Sequence, residues 1–427
     1  MNCSPIRSRL QRVALVGGAI ATTSFSLLFP VGSRAVNAAL QNSPKTVLDE
    51  VWQIVNRDYV DDSFNQVNWS EVRKELLSRD YTSRQQAYAA IRRALSQLND
   101  PYTRFLDPEQ FEALTDQTAG ELSGIGLQLS LDERTQEIEA LETIPNSPAL
   151  RAGLQSGDRI LEIDGQRTRG MDVERAAGLI RGEVGTSVTL KVQRGVETPF
   201  ELTLVRSRIE LPTVSYTIRQ EEQARIGYIQ LDEFNAHAAE QMYRALQDLN
   251  GENVDAFVLD LRGNPGGLLN ISVEIARMWI DRGTIVSTVD RRGQNETIEA
   301  TGMAMTDRPL AVLVDKNSAS ASEILAGALQ DNGRGTIIGT QTFGKALVQA
   351  VNSLSDGSGL AVTIAHYYTP KGTDINKTGI SPDITVQLTV EQEFQLTLEP
   401  QIRGTQFDPF YARAIDVLQT STPVAAN

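Results

Sequence analysis

Apolar residues follow three different spacings along this chain. Between 44 and 118 they recur at helical intervals. Val47, Leu48, Val51, Trp52, Ile54, Val55 and Tyr59 mark one face of an amphipathic helix. Ser83 followed by Gln86 is a capping-box signature, opening a helix that runs to about Leu98, where Asn99-Asp100-Pro101 ends it. Between 119 and 207 the spacing becomes two: Ile125, Leu127 and Leu129 alternate with Gly126, Gln128 and Ser130, and Val188, Leu190 and Val192 form another alternating strand. The stretch from Ser147 to Gly165 between them is punctuated by glycine. From about Ile209 strands and helices alternate. The spacing predicts strands at 226–231, 256–261, 310–314 and 336–338, and helices at 238–250, 268–280 and 321–330. Asp408 as cap, Pro409 in the first turn, and Phe410, Ala414, Ile415 and Leu418 on one face predict a last helix. Residues 420–427 read as disordered.

One turn in the third region carries candidate chemistry. The apolar run Leu310–Val314 has the character of a fully buried strand, and Ala321, Ile324, Leu325, Ala328 and Leu329 follow at helical spacing. Between them lies Asn317-Ser-Ala-Ser-Ala-Ser-Glu323. A serine on such a turn exposes its hydroxyl beside unpaired N–H groups and the positive helix end, which suits a nucleophile. Capping alone also accounts for Ser318, Ser320 and Ser322.

Composition narrows the choice. A formal charge of −14, from 40 basic and 54 acidic residues, argues against nucleic acid or an anionic membrane surface as a general partner. Residues 1–38 read as an export signal: Arg7, Arg9 and Arg12, an apolar stretch from Val13 to Phe29, then Val36-Asn37-Ala38. An uncleaved anchor is the competing reading. The only cysteine, Cys3, falls inside that segment, so a mature chain has no thiol nucleophile and no cysteine metal site. With His237 and His366 as the only histidines, a histidine-rich metal site is excluded as well.

A serine nucleophile needs a base, here His237, His366 or a lysine. Lys345 has apolar neighbours in Phe343, Leu347 and Val348 and no acid within ten residues on either side. Burial disfavours the ammonium, so a desolvated lysine can be neutral and accept a proton.

Several separated motifs, in order, resemble the carboxyl-terminal processing (tail-specific) serine proteases. They are Asn99-Asp-Pro-Tyr-Thr-Arg-Phe-Leu106, Asp260-Leu-Arg-Gly-Asn-Pro-Gly-Gly267, residues 318–331, Thr342-Phe-Gly-Lys345, Ser355-Asp-Gly-Ser-Gly-Leu-Ala-Val-Thr363 and Gly379-Ile-Ser-Pro-Asp383. The resemblance spans Thr46 to Asp383. It implies an α/β multidomain chain: a ClpP/crotonase-like ββα protease core over 208–390, a PDZ domain over 119–207, an N-terminal helical region over 39–118, and a helix with a tail over 391–427. It also implies a Ser–Lys centre of Ser320 and Lys345, with Gln349 orienting the lysine. The oxyanion hole would be the N–H groups of Ala321 and Gly266. Ser123-Gly124-Ile125-Gly126-Leu127 matches the PDZ loop whose backbone N–H groups hold a terminal carboxylate. Expected partners are polypeptides with free C-termini, membrane proteins included, with no metal or organic cofactor. Signal, acidity and motif wording are similar to cyanobacterial members, which implies the periplasm or thylakoid lumen. One branch of that lineage trims the photosystem II reaction-centre precursor. A catalytically silent PDZ scaffold is the reading from a different class.

Overall fold

A computed structural model describes residues 44–222 and 224–421; the expected export signal and residues 422–427 lie outside the described residues. Contacts divide the chain into two compact units.

The smaller unit combines the segment up to Leu114 with Thr284–Glu299 and Gly344–Thr378. Its helices include Pro44–Asp58, Trp69–Ser78 and Arg84–Ser96. Ser83 Oγ accepts the Gln86 N–H at 3.3 Å, while Gln86 Oε1 takes the N–H of Thr82 rather than of Ser83. The apolar faces meet Leu360 and Val362 of the strand Gly359–Tyr368, and Leu48, Val55, Ile91 and Leu98 are wholly buried there. That strand pairs antiparallel with Leu347–Ser353 and with Thr284–Asp290. It also pairs with Arg104–Leu106, a strand inside the stretch expected to be helical. Three residues are too few for an alternation to register.

The larger unit holds two main sheets. In one, Val214–Gln220 runs antiparallel to Arg225–Leu231, and Ala256–Asp260, Leu310–Val314, Thr336–Gly339 and Ile384–Thr385 continue parallel. Ala256–Asp260 and Leu310–Val314 are buried at every position, which is why Ala256–Leu259 and Leu310–Val314 read as unbroken apolar runs. Helices Ala238–Gly251, Leu269–Trp279 and Ala321–Asp331 lie between strands, close to the predicted bounds. The last helix, Pro409–Ser421, packs Phe410, Tyr411, Ala414 and Leu418 into the core formed by Val258, Ala311 and Leu313. Thr420 and Ser421 belong to it, so helix continues two residues into the segment expected to be disordered.

The second sheet orders Leu127–Asp132, Glu137–Thr143, Arg159–Ile163, Ser187–Gln193 and Phe200–Val205 around Ile138, Ile160, Ile163, Val188, Leu190 and Val192. Leu127–Asp132 is one of its two edge strands. Helix Val173–Ile180 is closed at its C-terminal end by buried Arg206, which donates to the carbonyls of Leu179 and Ile180. A two-stranded ribbon, Glu121–Gly124 with Ser207–Glu210, flanks this module in sequence.

Candidate active site

The serine-rich turn is fastened to the loop after Asp260 from both sides. Asp315 Oδ1 accepts the N–H groups of Asn317, Ser318 and Gly263 at 2.9–3.1 Å. Ser318 Oγ donates to the Leu261 carbonyl at 2.8 Å, and Ser322 Oγ donates to the Asn264 carbonyl at 2.9 Å. Both residues are fully buried. The same Asn264 carbonyl accepts the Ala319 N–H at 3.0 Å. Two of the three serines are therefore internal fasteners, and Ser320 is the one that is only half-buried.

Ser320 has φ +55° and ψ −111°, a conformation that L-residues rarely adopt. Glu323, wholly buried, opposes its relaxation: Oε2 accepts the Ser320 N–H at 2.9 Å and Oε1 accepts the Thr342 hydroxyl. Thr342 Oγ1 in turn accepts the Ile380 N–H at 2.7 Å. Glu323 was visible in the sequence only as a helix-start acid, and the Ser-x-x-Glu spacing was the signal for its bond to the turn.

Ala321 is the first residue of its helix, so its N–H has no intrahelical acceptor. Gly266 lies against it: a Cβ there would fall 2.6 Å from the Ala319 carbonyl oxygen, 2.9 Å from Ala321 N and 3.0 Å from Ser320 Cβ. With φ +103°, the position admits glycine alone. The Gly266 N–H is not idle, however. It donates to Asn264 Oδ1 at 2.9 Å, so service to an oxyanion requires sharing or releasing that bond.

Behind this loop is an ion cluster that the sequence did not disclose. Arg262 donates to both carboxylates of Asp260 and Asp408, and all three side chains are essentially inaccessible. The Tyr228 hydroxyl adds a 2.6 Å bond to Asp260. Burial pushes the Asp260 carboxyl up, yet the charge and hydrogen bonds of Arg262 outweigh it and hold the group below the ordinary carboxylate range. Asp408, read from sequence as a helix cap, accepts the Phe410 N–H and pairs with Arg262 as well.

Ser320, Ala321 and Gly266 belong to the larger unit, Lys345 and Gln349 to the smaller. Lys345 is half-buried and just precedes the strand Leu347–Ser353. Its carbonyl accepts the buried Tyr367 hydroxyl at 2.5 Å, and its Nζ lies 4.8 Å from the ring centre of Tyr102. The pairing of that strand with Gly359–Tyr368 shifts register between Val348 and Gln349, so the straight-strand separation of positions 345 and 349 does not apply. Gln349 Nε2 is buried with no hydrogen-bond acceptor.

His366 sits mid-strand opposite Leu347 and Val289. His237 precedes helix Ala238–Gly251, with Nε2 3.2 Å from Glu121 and Nδ1 3.9 Å from Glu210.

In the smaller sheet module, Ile125 and Gly126 lie between strands, and their carbonyls accept the N–H groups of Ala149 and Ile144. Gly126 has φ +73°, and a Cβ there would sit 2.2 Å from Ser147 Cβ. Gly124 has open space around it and an ordinary φ. Ile125 lies in the loop ahead of the strand that begins at Leu127, and its side chain is wholly buried in the module's core. Leu127 packs on the core's margin.

Peptidase family S41 matches residues 225–386, and a PDZ domain matches residues 141–194. A carboxyl-terminal-processing protease of Synechocystis sp. is 41% identical over 408 residues, 94% of each chain. That of Picosynechococcus sp. is 43% identical over 380 residues, 89% of this chain and 90% of its own. Among solved structures, a photosystem II D1 C-terminal processing protease is 38% identical, covering 81% of this chain and 94% of its own with a TM-score of 0.53. Similar along almost all of its length to such enzymes, and built around the serine turn just described, the chain belongs to the carboxyl-terminal-processing proteases of peptidase family S41, serine-type peptidases, and carries a PDZ domain.

Proposed function

We propose that the protein captures the free C-terminus of a polypeptide with its PDZ module and cleaves the chain near that end with Ser320 as nucleophile and Lys345 as base. The observation that carries this reading is the backbone of Ser320, held at φ +55° at a helix start with Ser318 and Ser322 tied down on either side. Strain of this kind persists only where the surroundings enforce it, and of the three serines only Ser320 is not fully buried. Chain connectivity supports the lysine. The Phe343 N–H donates to the Ser318 carbonyl at 3.1 Å, and two residues of chain, about 7 Å, lead from Phe343 to Lys345.

In this mechanism the neutral Lys345 amine takes the Ser320 proton as Oγ attacks the scissile carbonyl. The N–H groups of Ala321 and Gly266 stabilise the oxyanion, the new amine leaves with the lysine's proton, and water then hydrolyses the acyl-enzyme. Gln349 orients the lysine. Gly124, Ile125, Gly126 and Leu127 form the carboxylate loop, with the peptide added as a strand along the open edge Leu127–Asp132 beside helix Val173–Ile180. Residues 1–38 direct export, and relatives named as chloroplastic peptidases favour the thylakoid lumen, with the periplasm as the alternative compartment. The solved relative named for photosystem II D1 processing makes the tail of that precursor, a membrane protein, the first substrate to try.

The test is mass analysis of products from peptides that differ only in a free or amidated C-terminus, with Ser320→Ala as control. Free tails should be cut much faster, and the control should be inert while folded. Equal rates on both peptides remove the PDZ module from recognition, and an active Ser320→Ala removes the nucleophile.

A further inference from the structure

We infer that Tyr102 is a positioning residue for Lys345, using its ring face to hold the amine and to favour the ammonium that forms when the amine accepts a proton. This deepens the reading of Lys345 as base.

Both residues are anchored to the same strand. Asp100 closes the turn ahead of Tyr102, accepting the Tyr102 N–H at 2.9 Å and the Thr103 hydroxyl at 2.7 Å. Thr103 Oγ1 accepts the Thr363 N–H at 3.0 Å, and Arg104–Leu106 then pairs with Gly359–Ala361. At the other end of that strand, the Tyr367 N–H donates to the Ala346 carbonyl at 3.0 Å and the Tyr367 hydroxyl to the Lys345 carbonyl. The sequence Asn99-Asp-Pro-Tyr-Thr103 thus builds a hydrogen-bonded shelf that carries a half-buried ring, 4.8 Å from Lys345 Nζ.

A lysine side chain has four rotatable bonds and must give up that freedom to act as a base at one point. An ammonium over an aromatic face is attracted by the ring's quadrupole, and the neutral amine much less. The ring therefore contributes most when the lysine has taken the serine proton. In histidine-based centres a carboxylate does the equivalent, orienting the base and stabilising the cation that forms. Other titratable or charged groups on the segments bonded to this stretch include Asp100, with both oxygens engaged, Arg104 and Asp290 on the two neighbouring strands, His366, Tyr367 and Tyr368 on the strand itself, and Lys377, whose N–H binds the Gly344 carbonyl.

The experiment is the pH dependence of kcat and KM for cleavage of a free-tailed peptide by the full mature chain and its variants. Tyr102→Leu should lower kcat at least tenfold with KM within about twofold, and should move the acid limb to lower pH by about one unit. Tyr102→Phe keeps the ring face and should retain kcat within about threefold and the wild-type limb. Tyr102→Trp, with a stronger face, should move the limb upward and serves if the leucine variant fails to fold. A limb unmoved by leucine or tryptophan overturns the inference, as does a phenylalanine variant as impaired as leucine. An active Lys345→Ala enzyme would instead overturn the lysine's role as base, and this inference with it.

Discussion

Glu323 offers a stringent test of how the serine turn is held. Its carboxylate is wholly buried and divides its oxygens, Oε2 to the Ser320 N–H and Oε1 to the Thr342 hydroxyl. A hydrogen bond to a charged group contributes about 1.5–3 kcal/mol, comparable with the roughly 1–3 kcal/mol held in a residue of unusual φ and ψ. Glu323→Ala removes the restraint and leaves the Thr342 hydroxyl without its acceptor, so stability should fall by about 2–4 kcal/mol. The larger effect should be on turnover, because Ser320 is then free to relax, and a displacement of the order of 1 Å costs about a hundredfold. Glu323→Gln keeps one acceptor oxygen and should be intermediate, near tenfold. The assay is kcat for a free-tailed peptide beside urea unfolding of each variant. A folded Glu323→Ala protein with kcat within twofold of wild type would refute the claim that this carboxylate holds the nucleophile.

Three further outcomes follow from the same reasoning. Gly126→Ala meets Ser147 and an unfavourable φ, so it should destabilise the PDZ module by several kcal/mol and abolish tail binding, whereas Gly124→Ala should leave the fold intact; tail-peptide titration and thermal unfolding distinguish them. Arg262→Met leaves Asp260 and Asp408 buried without their counter-ion and should cost about 3–5 kcal/mol in urea unfolding at neutral pH. Because the native carboxyl of Asp260 titrates below its ordinary range, its contribution in the wild type is complete above that range and is lost as pH falls through the native value. Wild-type stability should therefore decline steeply on acidification below about pH 4.

The parts legible in the sequence were those with a local cause. Leu310–Val314 was recognisable because a strand buried on both faces is apolar at every position. The helices after Ser83 and Asp408 were announced by their caps. The serine turn was evident, but Ser318, Ser320 and Ser322 are equivalent in composition. They differ because Leu261 and Asn264, far off in sequence, offer carbonyls to two of them, while Glu323 holds the backbone of the third. The link of Arg262 to Asp408, and of Tyr102 to Lys345, likewise depends on long-range packing that no periodicity encodes. Arg104–Leu106 was hidden by its length. The alternation read from Ile125 begins only at Leu127 as strand, and Ile125 lies in the loop before it with its side chain in the same core. Gly124 and Gly126 read alike, and only backbone geometry shows which of them has to be glycine.

The central claim is that a lysine, and neither histidine, activates the serine. It is tested most directly by the rate of free-tailed peptide cleavage in the folded Lys345→Arg, His366→Phe and His237→Gln variants. Lys345→Arg keeps the charge and nearly the length, but guanidinium does not give up its proton in proteins, so this variant should be inactive. The two histidine variants should retain most of the wild-type rate. An active Lys345→Arg enzyme, or a folded and inactive His366→Phe enzyme, would contradict the account.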